Sequence, residues 1–178
     1  MVKKMKLQNT KTVNAISAKK TSIFDAVDEI FRSNPSTSII IPNTCSSDIS
    51  DLSNFTRELF KNYPIVQANY EIAKKKLGFI DFIEAKTNKK TRNKIIVANI
   101  YCQENKPRPL RKTHYGLLVH GMYEIKRYIV NYKKDNTDFS IQIHSPKIGT
   151  GSAGADWSFV SELMNDIWGG QKLYVYSR

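Results

Sequence analysis

The sequence has few cysteines, few histidines and no long apolar run. Cys45 and Cys102 are its two cysteines. Neither belongs to a C-x-x-C pair and two cannot build a disulfide framework, so both read as free thiols of a reducing compartment. No stretch of about 18 apolar residues occurs, which argues against a membrane-spanning helix. The opening MVKKMKLQNTKTVNAIS is basic and lacks the apolar core of a secretory signal. A cytoplasmic protein is expected. His114, His120 and His144 form no H-E-x-x-H and no Cys/His cluster, so neither a metal nor a cofactor is expected. Acid is missing from whole segments: residues 1–20 hold six lysines, and residues 105–113 hold four basic residues, with no Asp or Glu in either.

What is present is a folding composition. Of 178 residues, 40% are hydrophobic and 11% aromatic, enough for one domain with a substantial core. The net charge of +12 is concentrated in the two acid-free segments and in residues 74–94. Clustered positive charge attracts polyanions, whether nucleic acid or a phosphate-rich ligand.

Residues 1–10 read as a flexible basic lead-in and residues 11–178 as a single domain. KTVNAIS is a candidate first strand. SIFDAVDEIFRSN places Ile23, Phe24, Val27, Ile30 and Phe31 on one helical stripe, with Ser22 as N-cap and Asn34-Pro35 as stop. TSIIIP is a continuous β-branched run suited to a fully buried strand. NTCSSDISD reads as a polar loop, followed by two helices split at Pro64. GFIDFIEA and NKIIVANIYC are strands joined by an exposed hairpin turn. A long helix over 113–132, the strand FSIQIHSP, a helix over 156–168 and the strand KLYVYS complete the chain. Strands alternating with helices imply one α/β domain with helices on both faces of a sheet.

The stretch SPKIGTGSAGADWSFV passes from strand end through a glycine-rich loop into a helix. Gly149, Gly151 and Gly154 have G-x-G-x-x-G spacing. A dinucleotide-binding fingerprint would follow an early strand and be followed by a ribose-binding acid about 20 residues later. Here no Asp or Glu occurs beyond Asp166, and a Walker loop would need a Gly-Lys-Ser/Thr ending. Two readings remain: a structural turn, or a loop whose backbone N–H groups cradle phosphate before a helix N-terminus. Asp156 is placed to cap that helix, leaving Trp157 to pack inward with Phe159.

The segment PKIGTGSAGADWSFVSELMND resembles the last ligand loop and final helix of macrodomains, the ADP-ribose-binding modules. It is most similar to the branch containing ADP-ribose-1''-phosphate phosphatases and ADP-ribosyl glycohydrolases. IIVANIYCQENKP is similar to that family's central strand, with Ala98, Asn99 and Gln103 in register. RKTHYGLLVHGMYEIKRY resembles the long helix after it. The resemblance covers residues 95–177 well and residues 20–64 weakly. It implies a three-layer α/β/α fold with a mixed central sheet and a cleft at strand C-termini.

Carried over by position, the resemblance places ADP-ribose or a related nucleotide on Gly149, Thr150, Gly151, Ser152, Ala153 and Gly154. It adds Thr44, Cys45 and Ser46 from a first ligand loop, together with Asn99 and Gln103. Ser22 stands at the adenine-reading position, where the family has an acid. Ser53, Asn54 and Phe55 stand where the first loop has Gly-Ala-Gly. Gln103 occupies the position of the glycohydrolase lysine and Ala153 that of its loop acid. Lys106 and Asp156 are the remaining candidates for catalysis. His144 ends a strand beside the loop. Phe55 is either a base-stacking ring or a helix residue facing Leu52 and Leu59; Tyr101 and Tyr115 are further stacking candidates. The implied function is nucleotide binding, with hydrolysis as an extension. The alternative is a non-catalytic module that sequesters a nucleotide or engages nucleic acid or protein through its basic segments.

Overall fold

The β-branched runs assemble a five-stranded sheet in the computed structural model, which describes residues 22–46, 48, 51–73, 76–105 and 111–177. In chain order the elements are α1 (Ile23–Ser33), β1 (Thr37–Ser46), α2 (Asn54–Asn62), α3 (Pro64–Ile72), β2 (Ile80–Thr87), β3 (Lys94–Gln103), α4 (Tyr115–Asp135), β4 (Ser140–Pro146), α5 (Trp157–Trp168) and β5 (Lys172–Tyr176). The sheet order is β2-β3-β1-β4-β5. Strands β3, β1, β4 and β5 are parallel, and β2 runs antiparallel to β3 across the expected hairpin. The candidate strand at 11–17 and the lead-in at 1–10 lie outside the described residues.

Strand alternation divides the isoleucines between two cores. Ile39, Ile41 and Val97 face Phe24, Val27, Leu59 and Val66 of α1, α2 and α3. Ile40, Ile96 and Ile100 face Leu118, Met122 and Ile125 of α4 and Val160 and Met164 of α5. All ten residues of β1 are buried, as a central parallel strand covered on both faces requires. Each fully buried Ile contributes roughly 1.5–3 kcal/mol. The result is a three-layer α/β/α sandwich with a mixed sheet.

Helix starts follow their capping signals. Ser22 Oγ accepts from Phe24 N at 3.2 Å, Ser53 Oγ from Thr56 N at 3.0 Å and Asp156 Oδ1 from Phe159 N at 2.8 Å. Such caps are worth about 1 kcal/mol each. Pro64 opens α3, where its missing N–H costs nothing. Gly121 lets α4 settle on β3, because a Cβ there would lie 2.3 Å from Ile100 Cγ2. Trp168, fully buried, donates from Nε1 to Met122 O at 2.9 Å and ties α5 to α4.

Two expectations are corrected. Asn43, Thr44, Cys45 and Ser46 continue β1 instead of forming a loop, in register with Asn99, Ile100, Tyr101 and Gln103 of β3. Their polarity does not end the strand because partners exist inside: Asn43 Nδ2 donates to Asn99 Oδ1 at 2.9 Å. Phe159, expected in the core, is 42% exposed and meets Tyr115 edge-on, with ring centroids 4.6 Å apart.

The topology positions a crevice. From the centre of the sheet, β1 leads to α2 on one face and β4 leads to α5 on the other. The two connections diverge at the C-terminal ends of adjacent parallel strands, the switch point where open α/β sheets bind ligands.

Candidate functional site

A cleft of about 680 Å³ occupies that switch point, within the size range of small-molecule sites. One wall is the glycine-rich connection after β4, the other the start of α2, and Gln103 and Lys112 close the β3 side.

The glycine-rich wall is shaped by its own backbone. Gly149 and Gly154 adopt φ of 72° and 71°, the left-handed region in which a side chain is strained. Between them the loop folds back, with Ala155 N donating to Gly149 O at 2.9 Å and Gly154 N to Gly151 O at 3.1 Å. Lys112 N and Thr113 N both donate to Ala153 O, at 3.0 and 3.2 Å, and Thr113 Oγ1 donates to Gly149 O at 3.3 Å. The carbonyls of Gly149, Gly151 and Ala153 are thus engaged within the protein. Among the described residues none accepts from the backbone N–H groups of Gly149, Thr150, Gly151, Ser152 or Ala153. Consecutive free N–H groups lining a concavity form an anion cradle.

The opposite wall is built differently from the glycine-rich loop of the resemblance. Ser53 is the N-cap of α2, and Asn54 and Phe55 form its first turn. A buried polar chain fixes this helix start to the sheet. Ser53 Oγ lies 2.8 Å from Thr56 Oγ1, which donates to Asn43 Oδ1 at 3.0 Å, and Asn43 reaches Asn99. The half-buried Phe55 lines the cleft and stacks on Phe24, centroids 5.6 Å apart at 15°. Phe55 thus packs on α1 and also borders the cleft.

Among the described residues, the charged side chains of the lining are Asp51, Lys112 and Lys147. Lys112 Nζ reaches both carboxylate oxygens of Asp51, at 2.8 and 2.9 Å. Lys147 Nζ instead lies over the Trp157 ring, 5.3 Å from its centroid.

Of the sequence candidates, Thr44, Phe55, Gln103 and residues 149–153 line the cleft. The others are placed elsewhere. Cys45 is buried and held by Asn43 and Asn99, its thiol pushed up by desolvation. Ser46 is buried, its carbonyl accepting from Tyr70 Oη at 2.8 Å. Asn99 is fully buried in the sheet, and its Nδ2 has no partner among the described residues. Ser22 is committed to capping α1, two residues before the Phe24 ring that backs Phe55. Gly154 turns the loop, and Asp156, exposed, caps α5 outside the lining. Tyr101 is buried against Tyr70, and Tyr115 Oη accepts from Asp156 N at 2.9 Å. Lys106 lies outside the described residues.

His144 sits behind the cleft, fully buried, and not in its lining. Burial pushes its imidazole down to about 4. Because Gln142 Oε1 only accepts, His144 Nε2 carries the proton at 3.1 Å from it, and Nδ1 accepts from Tyr176 Oη at 2.7 Å. Tyr176 itself lines the cleft. His144 is thus linked to the cleft through Tyr176.

Sequence reasoning missed Asn43, Asp51, Lys112 and Tyr176. Lys112 had a signal, since it lies in an acid-free basic segment, but nothing local pairs it with Asp51. Among the described residues the basic side chains are spread over the sheet. Lys112 is at the cleft, whereas the hairpin carrying Lys89, Lys90 and Arg92 joins the other end of β3, about 30 Å away at strand rise.

No known protein family and no curated protein matches this chain at the sequence level. Solved structures do. The macrodomain of Mycobacterium tuberculosis DarG aligns with TM-score 0.61 and 15% identity over 80% of this chain and 90% of that one. A macrodomain protein from Streptomyces coelicolor aligns with TM-score 0.56 and 18% identity, covering 79% and 88%. A protein of unknown function from Bacteroides thetaiotaomicron aligns with TM-score 0.61 and 20% identity, covering 82% and 91%. The chain has the macrodomain fold. Among the described residues no helix is long and apolar enough to cross a membrane.

Proposed function

We propose that the cleft binds ADP-ribose or a related ADP-ribose-derived nucleotide, with the diphosphate on the backbone of residues 149–153. The observation that carries this reading is a run of cleft-lining residues whose backbone N–H groups have no acceptor among the described residues, at the switch point of a macrodomain fold. Backbone amides held by engaged carbonyls need no rearrangement to meet an anion, so little ordering cost offsets the contact. Phe55, packed on Phe24, offers the adenine a ring face. Gln103 and Ala153 supply neither a nucleophilic amine nor an acid, so the reading ends at binding and hydrolysis is a separate outcome of the test.

The test is calorimetric titration with ADP-ribose, its 1''-phosphate, ADP and AMP. Saturable binding of the ADP-ribose compounds, with a melting shift of several degrees at saturating ligand, is expected. Absence of both heat and shift at millimolar ligand refutes the reading. The same mixtures, analysed chromatographically, show whether the ligand is turned over.

A further inference from the structure

Resting on the nucleotide reading, we infer that Lys112 is an anion-recognising cation of the cleft and that Asp51 holds the place of a ligand phosphate. The ligand enters by exchange: a phosphate oxygen takes over Lys112 Nζ, and Asp51 gives it up.

Four observations converge on this. The pair is bidentate, and both side chains are largely withdrawn from water, at 13% and 19% exposure. Both residues line the cleft, yet they come from opposite sides of it, Asp51 ahead of α2 and Lys112 ahead of α4. The backbone of Lys112 donates to Ala153 O, so the segment that braces the glycine loop also carries the cation. The other lysine of the lining, Lys147, is drawn onto Trp157. Among the described residues, an anion on the amides of residues 149–153 therefore meets one directed cation, already occupied, and one carboxylate that repels it. Ion pairs of this kind are held by mutual compensation, and removing either partner leaves the other uncompensated in a partly dry site.

The exchange fixes an order of affinities. Asp51→Asn keeps the shape and one acceptor for Lys112 but removes the competing charge. Lys112→Met removes the cation and leaves the carboxylate. The double variant restores charge neutrality. Affinity for inorganic pyrophosphate and for ADP-ribose, measured by calorimetry at fixed moderate salt, should rise about tenfold in Asp51→Asn and fall about tenfold in Lys112→Met. The double variant should lie between them. Each tenfold step corresponds to about 1.4 kcal/mol. Melting curves accompany every variant, and if Lys112→Met does not fold, the single Asp51→Asn still decides the sign. An unchanged or weakened Asp51→Asn overturns the inference, since a carboxylate that reads a ligand hydroxyl would give the weakening. Equal affinity of all four proteins for ADP-ribose also overturns it and leaves the nucleotide reading standing. The predicted order with pyrophosphate, but no binding of ADP-ribose, supports the anion exchange and removes the nucleotide reading.

Discussion

Gly151 separates what the glycine-rich loop does for the fold from what it does for a ligand. It has no positive φ, and a Cβ built on it meets no atom within 4 Å, so the fold itself does not require glycine there. Gly149, two residues earlier, has φ of 72°, and its Cβ would meet Thr113 Oγ1 at 3.3 Å. An L-residue in the left-handed region costs roughly 1–2 kcal/mol. Gly149→Ala should therefore lower the melting temperature by about 2–8 °C for a domain of this size. Gly151→Glu should leave it within about 2 °C, because surface changes stay within about 0.5 kcal/mol. Ligand binding should follow the opposite ranking. A carboxylate about 5 Å from a diphosphate, at an effective dielectric between 20 and 80, is repelled by about 1–3 kcal/mol per phosphate charge. Gly151→Glu should thus weaken ADP-ribose at least tenfold, while Gly151→Ala tests steric approach alone. Calorimetry for affinity and scanning fluorimetry for stability give the two readouts. If Gly151→Glu binds ADP-ribose with unchanged affinity, the phosphate is not on this loop and the reasoning fails.

Two further predictions concern the interior. His144 is held neutral by burial, with its folded value near 4 against about 6.5 when unfolded. Its folded value is depressed, so the unfolded state binds the extra proton and stability falls as pH drops from about 6.5 towards 4, by up to roughly 3 kcal/mol. Urea unfolding across that range should show the slope, and His144→Gln should flatten it; an unchanged slope assigns it to other groups. Gly121→Ala should destabilise by about 1–3 kcal/mol despite alanine's better helix propensity, because its Cβ would overlap Ile100 Cγ2. The added cost should shrink when Ile100→Ala is introduced alongside, and additive losses would show that the clash is relieved elsewhere.

The layered fold was legible because its signals are local. TSIIIP and KIIVANIY are β-branched runs, and Ser22, Pro64 and Asp156 mark helix starts by their own chemistry. The glycine-rich wall was legible for the same reason: a left-handed φ at Gly149 and Gly154 is a property of single residues. What escaped depends on pairs distant in sequence. Polar residues 43–46 looked like a loop until Asn99, 56 residues from Asn43, supplied their partner across the sheet. Lys112 and Asp51 meet across 61 positions, and neither is informative alone. His144 ends its strand beside the loop in sequence, but its partner Tyr176 comes from the closing strand, 32 positions away.

The two walls of the cleft reach their shape by different physical means, and this bears on what a ligand meets there. Residues 149–153 present backbone to the cleft, and recognition on that side depends on amide geometry and tolerates few changes at the left-handed positions. Residues 53–55 present a capped helix start with side chains, fixed through Thr56 and Asn43 to Asn99 at the centre of the sheet. That wall places an aromatic face, Phe55, in the lining, and just ahead of it Asp51 pairs with Lys112. Backbone on one wall suits a diphosphate, whose charge is spread and whose geometry is common to many nucleotides. On the proposed nucleotide reading, selectivity among ADP-ribose derivatives should therefore reside in the side chains of Asp51 and Phe55 on the other wall and of Lys112 facing it, rather than in the glycines.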